Sequence, residues 1–173
     1  MSRHNISTSR DHVGRVINQW RQVRPDLDLT PLAVIARLGR AARYVDHGHE
    51  EFFSQHDLTR ADWDVLAGLR RVGPPYRLSP TDLYRGLMRA SGTITHRLHR
   101  LEQAGLVERM PDPDDRRGML VQLTKAGVKL VDKLAALHLE NERRMLEGLS
   151  EREREQLARL LEKLLASYET DQL

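Results

Sequence analysis

The stretch SGTITHRLHRLEQAGLVERMPDPDDRRGMLVQLT, residues 91–124, contains a change of hydrophobic period that decides the fold. In its first half Ile94, Leu98 and Leu101 recur at steps of four and three, the repeat of a helix that buries one face. Ser91 is a natural cap for that helix and Gly105 a natural end. Beyond Gly105 the period shortens to two, and 106–110 and 119–123 read as short strands. Between them lie Pro111, Pro113, three aspartates and Gly118, with Arg116 and Arg117 near the end of the turn.

Set out at about 100° per residue, the helix places His96, His99, Arg100 and Gln103 opposite its leucines, with Thr93 and Thr95 flanking. That outer face offers donors and acceptors and no acid, which suits phosphates and base edges in a major groove about 12 Å wide. An ordinary solvated helix face is the alternative. The hairpin tip weighs against it, because Arg116 and Arg117 would extend toward a minor groove, with Asp115 to brace one guanidinium. The candidate DNA contacts are therefore Ser91, Thr93, Thr95, His96, Arg100, Arg116 and Arg117.

Working outward, Ser79-Pro80-Thr81-Asp82 marks a short preceding helix with Leu83 and Leu87 inward. Thr59 with Asp62 starts a helix carrying Trp63, Leu66 and Leu69, which Gly73-Pro74-Pro75 stops. Thr30-Pro31 begins a long helix reaching about Phe53, and Val13, Ile17 and Trp20 mark another over about 9–23. After Thr124 the chain is helical again to about Glu147, and Ser150 with Glu153 opens a last helix striped by Leu157, Leu160, Leu161, Leu164 and Tyr168. The fold class is mainly α with a small β-hairpin: a winged helix-turn-helix lobe at about 57–123 and a helical lobe at about 9–54 and 125–170. Residues 1–8 are expected to be a flexible tail, and 9–173 one regulator domain.

Composition agrees and excludes much. Charged residues make up 31% and aromatics 5%, as in long amphipathic helices, and the net charge is +3. The absence of cysteine removes disulfides, thiolate nucleophiles and thiolate metal sites, and makes a reducing cytoplasm the natural setting. No apolar run nears the roughly 18 residues of a membrane span. No glycine-rich phosphate loop, G-x-S-x-G elbow or H-E-x-x-H is present, so no enzyme is expected. His47 and His49, two apart on a helix, are expected to be a solvated pair and not a metal site. No cofactor is expected. A helical protein-interaction module without DNA binding remains the rival of another class.

The segment Leu78–Thr124 resembles the DNA-binding core of the MarR family of bacterial regulators. The resemblance rests on Ser91-Gly92-Thr93-Ile94-Thr95, on Arg97-Leu98 with Leu101-Glu102 and Gly105-Leu106-Val107, and on Asp112-Pro113 with Asp115-Arg116-Arg117 before Val121 and Leu123-Thr124. It implies a homodimer joined by helices from both chain ends, binding a near-palindromic operator in double-stranded DNA, most often as a repressor. An intramolecular pairing of the terminal helices is the other reading of their leucine stripes.

Arg97 falls roughly 65° from the centre of the apolar face, so it should tuck inward where a charge needs a partner. Arg109 on the next strand and Asp64 in the third helix are similarly placed. These three read either as a structural salt-bridge network or as an anion site. The chain also resembles the urate-responsive branch of the family, which has an extra N-terminal helix carrying a Trp. That resemblance implies an effector site made of Trp20, Asp64, Arg97 and Arg109: a flat indole, two guanidinium forks and a carboxylate for a small planar aromatic anion such as urate. Salicylate-like phenolic acids are the alternative ligands.

Overall fold

A computed structural model describes residues 11–87, 94–115 and 118–169. The chain parts into two compact units, Met1–Gly48 and His49–Leu173. In the first, helix α1 (His12–Val23) is capped by Asp11, whose Oδ1 accepts the Gly14 N–H at 2.8 Å. The same carboxylate takes the Arg37 fork through Nε at 2.8 Å and Nη2 at 3.1 Å. Val13 and Ile17 are buried, while Trp20 is 45% exposed. Helix α2 (Thr30–Ser54) supplies Arg37 and leaves Val34 and Ile35 exposed; its last turns, from His49, belong to the second unit.

The second unit continues with α3 (Arg60–Arg71), β1 (Arg77–Leu78), α4 (Pro80–Arg85), α5 (Ile94–Gln103), β2 (Val107–Pro111), β3 (Met119–Leu123), α6 (Lys125–Met145) and α7 (Glu151–Glu169). Helix α3 begins where Thr59 predicts it, with a complete capping box between Thr59 and Asp62. Ser79 caps α4, accepting the Asp82 N–H at 3.0 Å. Helix α4 is shorter than the sequence implies: Gly86 closes it, and Leu87 packs against the core from outside the helix.

Gly105 ends α5 as expected, in a Schellman turn. Its φ of 69° is one that a side chain disfavours, and its N–H bonds the Glu102 carbonyl while that of Leu106 bonds the Leu101 carbonyl. The hairpin pairs Val107 with Leu123 and Arg109 with Val121. Strand β1 adds to β3 through Arg77–Gln122 and Leu78–Val121, giving the order β1-β3-β2. This third strand is absent from the sequence reading, because two residues are too few to show a period.

Leucines 66, 69, 83, 98 and 101 meet Val107, Val121, Leu123 and Leu134 in one core. The cluster joins α3, α4, α5, the sheet and α6, so α5 is fixed from several sides. Helix α7 buries no residue, and Leu160 and Tyr168 are about three-fifths exposed. No described helix is long and apolar enough to cross a membrane.

Candidate nucleic-acid interface

Leu98 and Leu101 turn α5 so that Thr95, His96, His99 and Gln103 face solvent. Arg97 sits at the margin and is half-buried. Ser91, Thr93, Arg116 and Arg117, four of the candidate DNA contacts, lie outside the described residues.

Arg100 is held more firmly than an outward-facing residue needs. Its Nη2 donates to Thr59 Oγ1 at 3.2 Å and makes a close ion pair with Asp62 Oδ2. Asp62 is fully buried, and the same oxygen accepts the Thr59 N–H and the Thr59 hydroxyl, each at 2.7 Å. One carboxylate thus caps α3 and fastens it to α5. Half of the Arg100 side chain remains exposed, so it stays on the outer surface while bound to a fixed anchor. The sequence assigned Asp62 only its capping role; nothing local signals a partner 38 positions along the chain.

A second strap joins α5 to the hairpin. Arg109 shares a sheet face with Val107 and Val121, and its Nε lies 3.4 Å from Glu102 Oε2. Both side chains are about one-third exposed. Arg97 and Arg109 therefore belong to the two elements expected to meet DNA. Asp64, half-buried in α3, places its negative charge beside His138 of α6. Trp20 stands exposed in the first unit.

The solvated histidine pair is corrected. His47 is exposed, but His49 is only 3% exposed, because a two-residue step turns a helix by about 200° and sends one ring inward. There it meets His138, at 5.0 Å between ring centroids, and Glu142. These two partners escaped the sequence reading, although their four-residue spacing puts them on one face of α6.

A family model described as the MarR family matches residues 56–118. The chain is 43% identical over 149 residues to the transcriptional regulator PecS of Dickeya dadantii, covering 86% of this chain and 90% of that one. Among solved structures it is similar to a mutant MarR from E. coli complexed with operator DNA, with a TM-score of 0.66, 28% identity, and coverage of 84% and 97%. It is also similar to BpsR of Bordetella bronchiseptica, whose DNA binding is regulated by 6-hydroxynicotinic acid. There the TM-score is again 0.66, at 28% identity and with 76% and 91% covered.

Proposed function

The chain belongs to the MarR family of DNA-binding transcriptional regulators, and from that premise we propose that it is a homodimeric repressor released from its operator by a small planar aromatic anion, urate first among them. The observation that carries the ligand reading is the position of Arg97 and Arg109 on the DNA-binding elements themselves. Arg109 is already paired with a carboxylate, Glu102 of α5. An incoming anion offers its own oxygens to the same guanidinium and competes with that strap. Losing the strap would loosen the hairpin from α5, so ligand and DNA would weaken each other by one common factor. The regulation of BpsR by a planar heteroaromatic acid supports this class of effector. Trp20 enters the proposed site through the family resemblance alone.

The exposed apolar faces of α2 and, separately, of α7 support a homodimer, since each displays large hydrophobic residues to solvent in the single chain. Two copies would then present two α5 helices to successive half-sites.

The ligand reading is tested by measuring the affinity for a selected near-palindromic duplex with and without millimolar urate. At least a tenfold loss is expected, and Arg97→Ala should abolish that response. Salicylate in place of urate distinguishes the phenolic-acid alternative. An affinity unmoved by either anion rejects an anion-released regulator.

The DNA reading makes a separate prediction. His96→Ala and Thr95→Ala should each weaken operator binding by about 1–3 kcal/mol if the side chain reaches a base edge. Thermal stability should not move, since both residues are exposed. Unchanged binding in both variants would remove the outer face of α5 from the interface.

A further inference from the structure

We propose that His49, His138 and Glu142 form a binding site for a divalent transition-metal ion of the zinc type. One donor atom from each of the three lies within 4.8 Å of the other two. His49 Nε2 and His138 Nε2 each stand 3.3 Å from the same oxygen, Glu142 Oε1. That distance is long for a charge-assisted hydrogen bond, which would close to about 2.7–2.9 Å. It fits the edge of a metal tetrahedron, where bonds of about 2.0–2.1 Å separate neighbouring ligand atoms by roughly 3.3–3.4 Å.

The surroundings favour ligation. His49 Nε2 is buried with no hydrogen bond of ordinary geometry, and Glu142 Oε1 stands 3.3 Å from it. Burial first, and Arg60 with it, pushes the imidazoles of His49 and His138 below their usual range; Glu142 opposes this at both rings, and Asp64 at His138. The rings of Phe52, Phe53 and Trp63 pack around His138 and limit its freedom to turn. Two imidazoles and one carboxylate leave a fourth position open for water or a small ligand.

Arg60 opposes the metal. Its Nη1 closely approaches His49 Nδ1, and because a guanidinium only donates, that nitrogen must be the acceptor. The ring proton is then on Nε2, facing Glu142. A metal at Nε2 requires that proton to leave and the other nitrogen to become N–H, which no longer accepts from Arg60. Metal and Arg60 therefore compete for one ring. Arg60 is also the first residue of α3, next to Thr59 in the anchor of Arg100, so its withdrawal gives the metal a route to the DNA-binding surface.

The test uses the full chain, freed of any tag and stripped with chelator, titrated with zinc chloride by calorimetry and with cobalt(II) by visible absorption. The expected result is one tight equivalent per protomer and the intense d–d bands of a tetrahedral cobalt site. Glu142→Gln and His49→Gln should each weaken binding at least tenfold, with circular dichroism melts showing that both variants are folded. Arg60→Gln should bind more tightly than the parent. No binding at micromolar zinc, or binding unaltered in both ligand variants, overturns the site. Unchanged or weaker binding in Arg60→Gln overturns the competition.

Discussion

Replacing Gly127 by alanine is expected to destabilise the protein by about 3–5 kcal/mol, more than a typical added methyl in a packed site. Gly127 lies in the first turn of α6, where helix propensity taken alone would favour alanine by up to about 1 kcal/mol. Sterics reverse that sign. A Cβ built there would run into the Leu106 carbonyl oxygen, and would sit 3.1 Å from its carbon and 3.2 Å from Leu123 Cδ2. The first obstacle is backbone and cannot rotate away. The same carbonyl accepts the Thr124 N–H at 3.1 Å, and Thr124 in turn bonds the Gly105 carbonyl at 2.7 Å. Helix α6 is thus pinned to the end of α5 and the start of β2 through the Gly105 and Leu106 carbonyl oxygens.

Relieving the clash means moving α6 outward, which breaks those bonds and opens the core at Val131 and Leu134. A chain of this size loses about 2–4 °C of Tm per kcal/mol, so Tm should fall by roughly 6–20 °C. Thermal and urea melts of Gly127→Ala against the parent, at equal protomer concentration, measure it. A variant within about 0.5 kcal/mol of the parent would show that the approach is slack.

How far the sequence reveals this architecture depends on the distance its signals span. Thr59 with Asp62, Ser79 with Asp82, and Gly105 after an apolar stripe are local devices, each complete within a few residues, and all three form as their spacing implies. The hairpin is legible because its two strands alternate and its turn lies between them. Strand β1 is illegible because its pairing with β3 spans more than 40 positions. The same limit applies at the site. A helical projection finds the outer face of α5 and the marginal place of Arg97. It is blind to Asp62 reaching Arg100 from another helix, and to His49 meeting His138 and Glu142. Glycine 127 is the converse case: in sequence it weakens a helix start, and only the approach of Leu106 explains it.

Asp62→Ala is the second large effect, expected at about 2.5–4 kcal/mol. The figure joins a lost helix cap, about 1 kcal/mol, to lost hydrogen bonds from a charged partner, about 1.5–3 kcal/mol. Removing the other end should cost less. In Arg100→Ala the carboxylate keeps both Thr59 donors and the positive end of the α3 dipole, so about 1–2 kcal/mol is expected for losing a half-exposed partner.

The two residues share one interaction, so the double variant should be less destabilised than the sum of the singles, by about 0.5–1 kcal/mol. Binding data then separate two roles of Arg100. If it contacts DNA directly, Arg100→Ala loses affinity whether or not Asp62 is present. If its function is to orient α5 against α3, the loss appears with Asp62→Ala alone and grows little in the double variant. Asp62→Asn refines the comparison, since it keeps an acceptor for Thr59 while removing the charge. Stability and operator affinity measured across this cycle should show the fold change concentrated at Asp62 and the binding change at Arg100; a binding change that follows Asp62 instead would make the ion pair a brace.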